Sequence, residues 1–245
     1  MRTEMFADKK TNSDFLEGSF ELASQYIKER LQRLPSDQRS RVRRLALRVM
    51  KDFELKKKGR LRTGAVRVIV ALLPETFDVL ESLLRDCSSP LWYEVHFTIF
   101  CALDRGNLAL SDQARILQLI REYVLRINSD AGFAAWKAGD LLGDEWRDSE
   151  TVEILGELLI SARHVPGRKA ALHGIEHALS HATKPEAEKL SALVRKAAQR
   201  DRSIEVRRNA NLALKGAGCG PPIESTRVVS KKSSATRQQR ALRER

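Results

Sequence analysis

Only three cysteines occur in the 245 residues, Cys87, Cys101 and Cys219, and none stands in a C-x-x-C spacing. An odd, scattered set argues against a disulfide framework and against a zinc–thiolate module, and it points to reduced thiols in a cytoplasmic protein. Long apolar runs are also missing. The longest clean one, VIVALLP from Val68 to Pro74, has about a third of the roughly 18 residues of a membrane span, so no membrane association is expected. The opening MRTEMFADKKTNSD mixes charges and has no apolar centre of the secretory kind. Aromatic residues make up 6% of the chain. No glycine-rich phosphate loop and no serine or cysteine in a recognisable nucleophile motif is present, so no cofactor is expected.

What the chain does have is charge, unevenly placed. The formal net charge is +12. Residues 28–62 carry 14 Lys/Arg against 4 Asp/Glu, and residues 221–245 carry 7 against 2. The intervening residues 63–220 are almost neutral, with 20 against 21. Cations gathered at two ends of a neutral body suggest an anionic partner, although like-charge blocks also serve simply as solvated faces or tails.

Nearly every apolar segment has helical spacing. Leu16, Phe20, Ala23, Ile27, Leu31 and Leu34 fall on one stripe, which predicts a helix over 14–34. Ser36 after Pro35, Ser89-Pro90, Ser111-Asp112 and Ser149-Glu150 read as helix starts, and Gly59, Gly106 and Gly216 as helix ends. VRVIVALL is the one stretch that could be a strand, and its context predicts helix. The helices come in couples. The second helix of each couple ends in two adjacent small or apolar residues: Leu72-Leu73, Ala102-Leu103, Leu141-Leu142, Ala178-Leu179 and Ala213-Leu214. The last members of these pairs lie 30, 39, 37 and 35 residues apart. Val66, Val95, Ala134, Ala171 and Val206, then Ile69, Ile99, Ala138, Ile175 and Ala210, complete the stripes. One such couple cannot bury its apolar stripe alone, whereas stacked neighbours make a continuous core.

DRSIEVRRNANLALKGAG resembles the second helix of the HEAT-repeat family, with Asp201, Val206, Arg207, Ala210, Ala213 and Leu214 in the family's positions. PGRKAALHGIEHAL and AGFAAWKAGDLLGD are looser versions of it. The resemblance covers about residues 37–216, and the middle repeats lack the Asp and Val-Arg positions. It implies an all-α fold, an α-solenoid of about five HEAT-like helical pairs. Residues 1–36 would form an N-terminal segment and capping helix, residues 37–216 the array, and residues 217–245 a basic disordered tail beyond the helix-breaking GAGCGPP.

Trp136 and Asp140 stand four apart on the second helix of the third couple, about 40° from each other at 100° per residue. The expectation is that Trp136 packs against the neighbouring couple and that Asp140 caps or ion-pairs a neighbour. A sharper reading comes from resemblance. The HEAT-like alkylpurine DNA glycosylases carry a Trp and an Asp four apart in a basic groove, which would make Trp136 a stacking platform and Asp140 a catalytic carboxylate. Against it, the next couple offers histidines where an arginine is expected.

HGIEHALSH sets His173, His177 and His181 four apart on one helix face, and it spells the H-x-x-E-H zinc pattern with Glu176. Imidazoles one turn apart can share an ion. That face lies roughly opposite Ala171, Ile175, Ala178 and Leu179 and shows no third ligand, so the sequence predicts an exposed polar face, with metal binding by His173, His177 and His181 as the alternative. Arg41, Arg44, Arg48, Lys51 and Lys58 form a cationic stripe on a predicted helix 37–58, opposite Val42, Ala46, Val49 and Phe53. Such a stripe suits a phosphate backbone or an acidic protein surface in a sequence-independent, salt-sensitive manner.

The function expected from the sequence is a non-enzymatic scaffold that holds a protein partner on its concave face. The basic helix 37–58 and the tail would add contact to an acidic surface or to nucleic acid. The alternative is a DNA-binding enzyme resembling the glycosylases.

Overall fold

A computed structural model of the chain describes residues 15–16, 19, 22, 24–88, 90–103, 108–128, 133–144, 146 and 149–216. The expected 217–245 tail, and most of the segment before residue 24, lie outside the described residues. Twelve helices and no strand are found among the described residues: α1 (Ser24–Arg33), α2 (Ser36–Lys51), α3 (Phe53–Lys56), α4 (Gly59–Ala71), α5 (Phe77–Arg85), α6 (Trp92–Ala102), α7 (Leu110–Arg126), α8 (Ala134–Asp144), α9 (Ser149–Ser161), α10 (Val165–Ala178), α11 (Lys184–Arg200) and α12 (Ile204–Gly216). None is long and apolar enough to cross a membrane. The fold is all-helical and compatible with an α-solenoid.

The apolar periodicity reads the buried faces of the second helices correctly, and on the predicted helix 37–58 it holds for Val42, Ala46 and Val49 but not for Phe53, which is exposed. Val66 and Ile69, Val95 and Ile99, Ala134 and Ala138, Ala171 and Ile175, and Val206 and Ala210 are all buried, each pair on its own even-numbered helix. VRVIVALL is helical through Ala71, and Val68, Ile69 and Val70 are buried within α4.

Contacts between helices run along two series. The even-numbered helices touch in order, α4 to α6, α8, α10 and α12, and the odd-numbered ones likewise, α5 to α7, α9 and α11. Rungs join the series: α2 with α4, α5 with α6, α7 with α8, α9 with α10, and α11 with α12. Polar links reinforce the steps. Arg121 on α7 pairs with Glu157 on α9, and Lys189 on α11 pairs with Glu153 on α9. Arg168 on α10 forks onto Asp201, with Nε 2.8 Å and Nη2 3.2 Å from its two oxygens. At the start of α11 the Thr183 amide donates to the Glu186 carboxylate at 2.9 Å, closing a capping box.

Several boundaries differ from the expectation. The predicted helix 14–34 is interrupted: Phe15 and Leu16 are helical, Ser19 is in a turn, Leu22 is in a bend, and α1 begins at Ser24. The predicted helix 37–58 ends at Lys51. Asp52 adopts extended backbone, and its carboxylate accepts hydrogen bonds from the amides of Glu54 and Leu55 at 3.0 and 3.2 Å, so it caps a new helix instead of continuing the old one. Gly59 does not end a helix; it opens α4. The alternation of apolar and cationic residues through this region keeps helical spacing across the break, which is why periodicity alone reads it as one element.

Candidate functional site

Helices α8 and α10 approach each other backbone to backbone. A Cβ placed on Gly139 would lie 2.1 Å from the Ala170 carbonyl oxygen, and one on Gly143 would lie 2.3 Å from that of Gly174. A Cβ on Gly174 would lie 2.6 Å from the Gly139 carbonyl oxygen. A glycine inside a helix costs about 1 kcal/mol relative to alanine. Here the missing Cβ is what allows the helices to meet.

That seam brings two polar faces together. Trp136 and His173 are 37 residues apart, as are Asp140 and His177, the same offset that separates the apolar ends of their helices. The four residues therefore sit at matching positions on adjacent helices. The His173 ring stacks on the Trp136 indole with centroids 4.2 Å apart and planes 22° apart, and Trp136 remains 45% exposed. The His173 and His177 rings meet edge to face at 4.6 Å. Asp140 Oδ1 lies 3.8 Å from His173 Nε2 and 3.5 Å from His177 Nε2. Behind His177, Nδ1 is 2.9 Å from Asp144 Oδ1. Behind His173, Nδ1 is 3.6 Å from Glu176 Oε2. The Nε2 atom of His173 is buried and has no hydrogen-bond partner.

Lys137, one turn before Asp140, donates to its Oδ2 oxygen. Burial by itself would push the Asp140 carboxyl up, but the Lys137 hydrogen bond and charge, with His177 and His173 adding to them, hold it below the usual carboxylate range. Burial likewise works against the charged form of Lys137, yet Asp140 raises its pKa. The pair is ionised, and Asp140 presents its second oxygen to the imidazoles as an anion. Among the described residues Cys87 and Cys101 are free thiols, and desolvation raises both pKa values, with Asp86 and Asp140 respectively adding to the shift.

Of the predicted site residues, Trp136 packs on the neighbouring helix as expected, and Asp140 ion-pairs within its own helix. His173 and His177 join Asp140, which is the third donor that the histidine motif alone did not show. They are part-buried in the seam rather than fully solvated. His181 does not join them: its ring Nε2 is 2.7 Å from the Gly143 carbonyl oxygen. The cationic stripe lies elsewhere, on α2. Arg44, Arg48 and Lys51 are exposed around an open depression that Leu47 and Asp52 complete. Arg41 is 3.8 Å from Asp37. Lys58 is exposed but sits beyond the break, as the N-cap residue of α4, so it does not extend the α2 stripe. Sequence reasoning missed Lys137, Asp144 and the glycine seam; the readable signal was the recurrence of helical glycines at 139, 143 and 174.

Comparison with protein-family models, with curated proteins and with solved structures finds no match for this chain.

Proposed function

We propose that the chain is a HEAT-like α-solenoid that works as a non-enzymatic binding scaffold and holds an extended, acidic stretch of a protein partner along its even-numbered helices. One observation carries this reading. Arg67, Phe97, Trp136, His173 and Arg208 follow one another at offsets of 30, 39, 37 and 35 residues, the offsets of the apolar helix ends. They therefore hold equivalent places on α4, α6, α8, α10 and α12. Phe97 and Trp136 are among the large apolar side chains left exposed, and Arg208 is exposed. Two exposed aromatic rings with the exposed Arg208 at one end of the row supply anchors of the kind that dominate binding energy in interfaces, and that charge selects an anionic partner; Arg67, at the other end, is half-buried and donates to the Leu22 carbonyl. The cationic face of α2 lies outside this row and adds a second, salt-sensitive contact.

The test is parallel capture from a cell extract with the wild-type chain and with Phe97→Ala/Trp136→Ala. Partners bound through the row appear with the wild type and are lost with the variant. Identical protein profiles would remove the row from the interface and this reading with it.

A second reading, a nucleic-acid enzyme resembling the alkylpurine DNA glycosylases, has one observation in its favour: the half-exposed Trp136 and the ionised Asp140 share one helix face. His173 already covers one side of the indole, and Lys137 already engages the carboxylate. Release of modified bases from alkylated duplex DNA, abolished by Asp140→Asn, would establish this reading; absence of release retires it.

A further inference from the structure

We propose that Asp140, His173 and His177 bind one divalent transition-metal ion of the zinc type, with Asp144 as the outer support of the site. The three residues place one donor atom each within 4.8 Å of one another. Asp144 carries only acceptors, so the 2.9 Å contact makes His177 Nδ1 the donor, and Nε2, on the side facing Asp140, is the nitrogen that would ligate an ion. A carboxylate behind a ligating imidazole is the usual device for fixing its tautomer and raising its basicity. The Nε2 atom of His173, buried and without a hydrogen bond, faces the same oxygen. A buried nitrogen without a partner is costly in a folded protein, and an ion would satisfy it.

The distances suit such an ion. Donors about 2.0–2.1 Å from a tetrahedral zinc stand about 3.3 Å from each other. Asp140 Oδ1 is 3.5 and 3.8 Å from the two imidazole Nε2 atoms, a few tenths of an ångström beyond that spacing, and the ligand nitrogens of the two histidines lie within 4.8 Å of each other, so this third side closes by the largest rearrangement. Charge agrees as well. Asp140, Asp144 and Glu176 contribute three negative charges around the cluster and Lys137 one positive, which leaves a deficit of two for a divalent cation. Two imidazoles with one carboxylate oxygen select a borderline late first-row ion over magnesium or calcium, which prefer all-oxygen shells. The site would be held rigidly, because the Trp136 stack fixes the His173 ring and the glycine seam fixes the spacing of the helices. With three protein ligands, a fourth position stays open for water or for a donor from a bound partner.

The experiment uses the full-length, untagged chain, stripped with a chelator and dialysed against zinc ion alone or cobalt(II) alone. Bound metal is counted per chain, and cobalt coordination is read from visible absorption. One equivalent of metal is expected, with tetrahedral cobalt bands. Because Asp140→Asn leaves Lys137 without its partner, the deciding variant is His177→Ala, whose side chain is 33% exposed and whose fold is checked by circular dichroism. It is expected to weaken zinc binding at least 100-fold. Asp144→Asn is expected to weaken it roughly 10- to 100-fold, and His181→Ala to leave it unchanged. Failure of the wild type to hold stoichiometric metal overturns the proposal. So does equal retention by His177→Ala, or a loss on His181→Ala as large as on His177→Ala.

Discussion

Gly139→Ala tests the seam on which the site depends. The added methyl would stand 2.1 Å from the Ala170 carbonyl oxygen and 2.8 Å from its carbon. A methyl carbon has no rotamer to escape into, and the obstacle is backbone, so α8 and α10 must move apart by about 1 Å. Overpacking of this kind costs typically 1–3 kcal/mol, and a rigid backbone obstacle sets the expectation at the upper end. Alanine returns about 1 kcal/mol through its better helix propensity. The net expected loss is about 2 kcal/mol, which for a domain of this size lowers Tm by about 4–8 °C. Gly216→Ala is the control. It also lies in a helix, but a Cβ there meets nothing within 4 Å, so it should be neutral or stabilising by a few tenths of a kcal/mol. Thermal unfolding followed by circular dichroism measures both. If Gly139→Ala melts at or above the wild type, the helices are not in backbone contact and the geometry drawn for Asp140, His173 and His177 is wrong.

Three further outcomes are expected. Arg168→Met strands Asp201 in a poorly solvated place and removes hydrogen bonds to the Ala162 and Arg163 carbonyls at 2.9 and 3.0 Å; breaking one side of a buried pair costs about 3–5 kcal/mol, and a denaturant-measured loss below about 1 kcal/mol would contradict the burial of the fork. His96 is fully buried against Trp92 and Tyr123, and burial lowers its pKa despite its hydrogen bond to the Leu83 carbonyl and the nearby Asp86 charge, with Arg126 assisting. The folded state then binds a proton less readily than the unfolded one, so stability present above pH 6.5 is lost as pH falls below it, by up to about 1.4 kcal/mol per pH unit; His96→Gln should flatten that slope in melts from pH 7.5 to 5, and an equal slope in both proteins would refute it. If α2 contacts duplex DNA, Arg44→Ser/Arg48→Ser should reduce the slope of log affinity against log salt by about 2, whereas an unchanged slope removes nucleic acid from the partners of this helix.

The buried half of the architecture was legible because burial has a period. Val66, Val95, Ala134, Ala171 and Val206 recur at helical positions, and the structure buries each of them. Boundaries were less legible because they turn on single side chains acting locally. Asp52 is one charge among many in a basic stretch, and only its two amide contacts reveal it as the cap that separates α2 from α3. The site was half legible. The H-x-x-E-H motif identified His173 and His177, and the four-residue spacing identified Trp136 and Asp140. Each pair was read on its own helix, where the outward faces looked solvated.

The missing step was the distance between the helices, and glycine controls it. With alanine at 139 and 174 the two helices would stand further apart, and the histidines would be what the motif alone suggested, a polar face with no third ligand. Glycine in those places draws the Asp140 oxygen to within 3.5 and 3.8 Å of two imidazole nitrogens. The same approach lays the His173 ring on Trp136. A residue without a side chain thus decides whether these four side chains stand separately or form one cluster. In a stacked helical protein, the glycines on facing helices should therefore be read together with the polar residues one turn away, because the first determine which of the second can meet.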